Sequence, residues 1–385
     1  MPVEGHRRRV EPLRQPSHGE PFDPILVRHL GGHAHDPVTA QAPAAPSTVT
    51  HWITSLGVCT LVPTARRLPI DRPAIRTASS AEGLIAQAGP LARTTADVEL
   101  ALQVMVDAIA ARPTGSNPPV PWRNRPESGV AGLRVAVLPA IDGFAPSPAI
   151  RRAIDEAAAA LGDAGATVEA WDPAPDTSEA IAVAMQVWTA DGGAWARQLL
   201  DGEAPHPLIK GALQATSLPN PMVRALAAIL KATGQRRLAR LARNAQKGSA
   251  RELLDRLGDR LAYEEAFLAA MDAGGYDLVL GPATPLPAVP HGVSAKLADV
   301  ESPSALFNML GMPGGVVPVT RVRPGEESDR PASKDATLRA ARRAEQGTAV
   351  LPVAVQVVAR HWREDLVLAA MAAIEAEAIS CWTGP

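Results

Sequence analysis

Three groups of residues in this chain have types that could carry chemistry: an early histidine cluster, the serines that follow it, and two distant cysteines. His29, His33 and His35 stand close together and are followed by Asp36. An H-x-H pair beside a carboxylate offers the donor types of a zinc site. The strand pattern and the further ligand that metal-dependent hydrolases place around such a pair are missing, so the cluster reads as a solvated loop and no metal ligand is assigned. Ser47 lies in Ala44-Ala45-Pro46-Ser47-Thr48-Val49, with Ser55 not far beyond. A serine is a weak nucleophile until a positioned base takes its proton, and the first lysine of the chain is Lys210. No glycine beside Ser47 shapes a turn of N–H donors, and Pro46 has no N–H to give. Ser47 and Ser55 therefore read as loop or strand-edge hydroxyls, and no catalytic residue is assigned. Cys59 and Cys381 are the only cysteines, which excludes a disulfide framework and a cysteine-ligated zinc site; both read as buried thiols. His361, beside Trp362 at a strand-to-helix turn, reads as a cap. There is no nucleophile elbow, phosphate loop or dinucleotide fingerprint, and Gly192-Gly193 and Gly314-Gly315 read as turns.

The totals narrow the class further. With 385 residues, 46% apolar and 20% charged, the chain has the composition of a globular protein with ample core material. A net charge of -2 and 3% aromatics give no electrostatic or stacking case for nucleic acid. No run reaches the length of a membrane span and no secretory pattern opens the chain, so the cytoplasm is expected. Nothing calls for a cofactor.

Residues 1–54 differ from the rest. They hold His6, His18, His29, His33, His35 and His51 of the nine histidines, are dense in proline, and lack hydrophobic periodicity, so they read as an irregular segment. Residues 55–385 read as one domain. An apolar run, Leu56 to Val62, stops at Pro63, and a loop containing Arg66 and Arg67 leads to a Gly89-Pro90 turn. Thr94 then caps a helix with Asp97 in its first turn and Val98, Leu102, Met105, Val106 and Ile109 on one face, closed by Pro113 and Gly115. A strand around Leu133–Leu138, a helix from Pro148 to Gly165 and a strand at Thr167–Trp171 make a parallel crossover unit. Residues 178–272 are mostly helical with a break over 205–221, and Arg236, Arg237, Arg240 and Arg243 read as a solvated basic face. Tyr276–Pro285 is a buried strand; Ser304–Val319 is a helix, turn and strand; 321–346 is an exposed insertion. A strand from Leu351 to Val358 and a closing helix follow.

The wording of several segments is more specific than their periodicity. Pro63-Thr64, then Gly89, Pro90, Ala92, Arg93 and Asp97, resembles the G-L-K-P-T and G-P-x-A-R-x-x-x-D elements of the amidase signature family, in its fatty-acid-amide-hydrolase-like branch. Thr60 and Val62 depart, standing where the family has Gly and Lys. Asp277, Pro282 and Pro285 resemble the family's D-x-x-x-x-P-x-x-P segment, and Asn308, Gly311 and Pro313 its helix and Gly-x-Pro turn. Pro352, Gln356 and Trp362-Arg-Glu-Asp365 resemble its closing strand and helix. The resemblance runs from Leu56 to Glu375 in the family's order.

It implies an α/β fold, a mixed β-sheet covered by helices, with the N-terminal strands of the family missing. It also implies hydrolysis of carboxamide C–N bonds in a small-molecule amide, including those with hydrophobic acyl groups. In the family a lysine, a bridging serine on a cis peptide and a nucleophilic serine do this work, and they belong before the G-L-K-P-T segment, near Ser47. None of them is found here, so the expectation is a truncated, inactive chain, with residues 1–54 arising from a shifted reading frame or replacing a lost N-terminal half. A homo-oligomer or a partner chain is expected to cover the exposed sheet edge. Two other classes stay open: a non-catalytic remnant or regulatory partner of the same fold, and a metal-dependent hydrolase using His29, His33 and His35.

Overall fold

The computed structural model describes residues 57–68, 87–111, 118–200, 202–297, 300 and 302–382. The chain divides into two units, Met1–Ala42 and Pro43–Pro385, and every described residue belongs to the second. The histidine cluster, Ser47 and Ser55 lie outside the described residues.

The apolar run before Pro63 forms strand β1 (Cys59–Val62), and the Gly-Pro turn leads into a two-residue strand β2 (Leu91–Ala92) beside it. Gly89 is required there, because a Cβ would stand 2.0 Å from the Leu61 carbonyl oxygen. The Thr60 hydroxyl, a departure from the family's glycine, donates to the Pro90 carbonyl at 3.0 Å and ties the same turn. Helix α1 (Thr95–Ala110) starts where expected: Thr94 Oγ1 accepts from the Asp97 N–H. Val98 and Leu102 are buried, whereas Met105 is exposed rather than on the apolar face. Pro113 and Gly115 lie outside the described residues.

Strand β3 (Arg134–Val137), helix α2 (Pro148–Asp163) and strand β4 (Thr167–Ala170) form the expected crossover, with β3 and β4 parallel. Six helices follow: α3 (Thr177–Thr189), α4 (Ala194–Leu200), α5 (Pro207–Ala215), α6 (Asn220–Ala232), α7 (Arg236–Asn244) and α8 (Ala250–Gly274). Helix α5 occupies the expected break. Strand β5 (Leu278–Pro282), helix α9 (Ser302–Leu310), strand β6 (Gly314–Arg321), helix α10 (Ala336–Glu345), strand β7 (Pro352–Ala359) and helix α11 (Glu364–Trp382) complete the order. Gly314 and Gly315 open β6 and are not a turn. The physical reason is close approach: a Cβ on Gly315 would meet Met371 Sδ of α11 at 2.2 Å.

The strands make one mixed sheet in the order β2-β1-β6-β7-β5-β3-β4. Alternation along β7 separates two cores. Val353, Val355 and Val357 face the side that carries α1, α2 and α11, where Leu61, Ile150, Leu280, Val317, Val367 and Met371 are buried. Val358 faces the other side, packed with α3, α8 and α9 through Val187, Phe267, Met271 and Phe307. Trp171 meets Phe267 edge-on at 5.2 Å, an arrangement favoured by the ring quadrupoles. Among the described residues no helix is long and apolar enough to cross a membrane.

Two readings of charged segments need correction. The basic stretch on α7 is not simply solvated. Asp142 is fully buried, with φ +56°, and Arg240 clamps its carboxylate with both Nη atoms while Arg237 Nη2 adds a contact at 3.3 Å. Nor is 321–346 simply exposed. Glu345 is buried, held by the Ser328 hydroxyl and by Arg330 Nε at 2.8 Å; burial nevertheless pushes its carboxyl above the ordinary carboxylate range. Arg237 and Arg330 both lie over the Phe144 ring, at 4.7 and 4.3 Å. In each case a buried acid draws arginines out of a segment whose local pattern is polar.

Asparagine tolerates the left-handed backbone, so Asp142→Asn removes the charge without straining the turn. It leaves Arg237 and Arg240 facing a neutral amide, and the expected loss is about 3 kcal/mol, the lower end for a buried pair because both arginines are partly wet. Urea denaturation of the variant checks this; a midpoint equal to wild type would show the clamp to be neutral.

Candidate functional site

Strands from four segments that the resemblance singles out lie side by side. β1 pairs with β6, β6 with β7, and β7 with β5, all antiparallel. The register places Val62 opposite Gly314 and Gly314 opposite Val358, so the Pro63-Thr64 turn, the Gly311–Pro313 turn and the end of β7 meet at one sheet margin.

Buried polar contacts lock that margin. Glu364 Oε1 accepts from the Thr64 backbone N–H at 2.9 Å and from Arg67 Nε at 2.8 Å. The Trp362 N–H donates to Thr64 Oγ1 at 2.7 Å, and Ala65 N–H to the Gly311 carbonyl at 3.0 Å. The Arg67 guanidinium lies 5.0 Å from the Trp362 ring and 5.9 Å from that of Trp122, both cation–π distances. Arg67 and Glu364 side chains are 3% and 2% exposed, so the pair is desolvated and its value depends on this geometry. His361 Nε2 stands 2.9 Å from the Leu310 carbonyl, with Glu264 at 3.4 Å. That is a turn-fixing contact, as expected of a cap.

One row of side chains crosses the same strands on the sheet face turned away from α11. Thr60 is opposite Val316, Val316 opposite Gln356, and Gln356 opposite Gly281. Among the described residues, Ala283, Val316 and Ala354 form a small buried apolar group there. Gln356 is 7% exposed, and its Oε1 is buried without a hydrogen-bond partner among the described residues. An unmet buried amide oxygen costs about 1–3 kcal/mol, so it calls for an explanation. In the sequence Gln356 stands out only as part of the closing-strand resemblance, not for any reactivity of its own. The available signal was a lone amide inside the apolar run Val353-Ala-Val-Gln-Val-Val358.

Among the described residues, groups able to attack a carbonyl are not assembled in this corner. Thr60 and Thr284 donate to backbone carbonyls, and Thr64 Oγ1 is held by Trp362. Cys59 is buried, as expected; burial first, then the Glu375 carboxylate, push its thiol up to about 12, so it stays protonated and inert. The Cys381 side chain lies outside the described residues. Lys210 is on α5, far along the chain from these strands. Among the described residues no group of three His, Cys, Asp or Glu side chains could hold a metal.

Comparison with known proteins bears on this corner directly. The Amidase family profile matches residues 56–368, which include all four segments. A fatty acid amide hydrolase 1 of Caenorhabditis elegans is 29% identical over 67% of this chain and 45% of its own length. A fatty-acid amide hydrolase 1 of Sus scrofa is 29% identical over 83% of this chain and 55% of its own. A solved fatty acid amide hydrolase superposes with a TM-score of 0.63 at 22% identity, over 84% of this chain and 53% of that one. The chain thus spans about half the length of the curated relatives it matches, and the structural likeness establishes the mixed α/β fold.

The Arg67–Glu364 pair supplies a test of the margin. Arg67→Met strands a buried carboxylate, and the expected destabilisation is about 3–5 kcal/mol. Adding Glu364→Gln to that variant should recover more than half of the loss. Denaturant titration of the two proteins decides; equal midpoints would show that the pair does not organise this junction.

Proposed function

Because the chain belongs to the amidase family, we propose that it is an amide-hydrolase domain organised on the sheet margin where β1, β6 and β7 meet. The reaction class is cleavage of a carboxamide C–N bond, with water as the final acyl acceptor, giving a carboxylic acid and an amine or ammonia. The observation that carries the reading is the meeting of the Pro63-Thr64 turn, the Gly311–Pro313 turn and the end of β7 at that margin. Hydrophobic acyl amides are the favoured substrates. Two relatives are named as fatty acid amide hydrolases.

The polypeptide of this sequence is proposed to be catalytically silent. Its first lysine is Lys210, and the corner holds no serine with a base beside it among the described residues. The same observation favours the second reading, a non-catalytic partner of this fold. Function depends on the site and not on the fold that frames it.

Treating the purified chain with a fluorophosphonate probe, mapping its peptides, and incubating it with a hydrophobic acyl amide test the proposal together. No serine adduct and no free acid are expected. An adduct on a serine within residues 40–60, with acid released, would overturn the silent reading and establish an active amidase.

A further inference from the structure

We infer that helices α6 and α7 form a flap that opens as one unit about a root at Asn220 and Lys247, and that Asp142 is the latch that holds it shut. The geometry of the hairpin comes first. The chain enters α6 at Asn220 and leaves α7 shortly before Lys247, and the Asn220 side-chain amide donates to the Lys247 carbonyl at 2.9 Å. Entry and exit therefore share one root. That root is seated beside the end of α3, where the Gly248 N–H donates to the Ala190 carbonyl at 3.0 Å. Ser249 then starts α8 with a complete capping box. Residues 216–219 and 245–248 lie outside the helices at the two sides of the root, and such short connections absorb hinge rotation.

What fastens the hairpin to the rest is mainly polar. Val223 and Ala227 on α6 and Ala239 on α7 are its buried residues, all of them small. Helix α6 packs on α7, and α7 packs on α3. Far from the root, Gln235 pins the turn between the two helices: its Nε2 donates to the Lys334 carbonyl at 2.9 Å, and its Oε1 accepts from the Ala336 N–H at 2.7 Å. In the first turns of α7, Arg237 and Arg240 reach Asp142. Apolar burial resists opening in proportion to its area. Separated charges instead regain hydration, which offsets much of their lost attraction. A segment held in this way opens at a lower free energy than the whole fold.

Asp142 stays behind when the flap leaves. It follows β3 with φ +56°, and its N–H donates to the Thr177 hydroxyl at 2.8 Å, so its backbone is fixed to the sheet side while the arginines travel with α7. Beneath Arg237 lies the Phe144 ring, at 4.7 Å, packed with Leu286 and Leu297. Strands β3 and β5 are parallel, and the loops after their carboxyl ends carry Asp142, Phe144 and Leu286. Open α/β sheets take ligands at such ends. Opening the flap uncovers Phe144 there, which places the hairpin as a gate.

Hydrogen exchange of the full chain, read peptide by peptide by mass spectrometry, tests this in wild type, Asp142→Asn and Arg240→Lys. In wild type, residues 220–244 are expected to share one level of protection, at least about tenfold below that of β6 and β7. Asp142→Asn should lower the protection of 220–244 by at least about tenfold more. Arg240→Lys keeps the charge but loses the two-pronged contact, so a smaller drop is expected; it serves if the asparagine variant fails to fold. Wild-type protection of 220–244 equal to that of β6 and β7 would show that the hairpin opens only with the whole fold, and would overturn the flap. Unlike protection of α6 and α7 would overturn the single unit. Protection there unchanged in both variants would overturn Asp142 as the latch.

Discussion

The fold depends on one buried carboxylate. Glu364 accepts from the Thr64 N–H and from Arg67, groups 300 and 297 residues away in the chain. Almost no water reaches the pair, so neither partner could be left alone without a large desolvation cost. That requirement fixes the loop after β1 against the turn before α11. Once the loop is fixed, β1 can lie only beside β6, and the Pro63-Thr64 turn faces Gly311. The local backbone yields to this constraint: Arg66 and Trp362 both have positive φ, near +68° and +65°, a cost non-glycine residues accept only where the surroundings over-determine them.

From this anchored edge the sheet sets out two unlike faces. The α11 side is an ordinary close-packed core, tight enough that Gly315 must lack a side chain to let Met371 approach. The opposite side is divided. Over β3, β4 and the near ends of β5 and β7, helices α3, α8 and α9 bury aromatic rings and long aliphatic chains. Over the remaining corner, among the described residues, Ala283, Val316 and Ala354 form a separate small group. A core built to maximise burial would put larger side chains in that place.

Much of this was legible in the sequence. Thr94 and Asp97 marked the start of α1, the apolar spacing of Ile150, Ile154 and Leu161 marked α2, and the strand–helix–strand order implied the parallel β3–β4 pair. The motif residues by themselves carried the resemblance to the family that the profile match shows. Charge was read less well. Arg237 and Arg240 looked solvated because their helix is polar on its own terms, and the buried Asp142 that binds them lies about a hundred residues earlier. Gly314 and Gly315 looked like a turn for a similar reason, since nothing local announces that a helix sulfur will press on a strand.

What the sequence determined by itself is what repeats at short range: which segments are helices or strands, which of their faces are apolar, and which family's wording they carry. Those properties follow from periods of 2 and 3.6 residues and from caps and turns within a few positions. Only the tertiary structure decided which strands lie side by side. The row from Thr60 through Val316 and Gln356 to Gly281 draws on four strands spread over most of the chain. Lateral register is set by non-local pairing, and a shift of one residue would have turned Gln356 into the valine core. The Arg67–Glu364 pair and the Asp142 clamp were likewise decided in three dimensions, because a buried charge takes its meaning from whatever partner the fold brings to it.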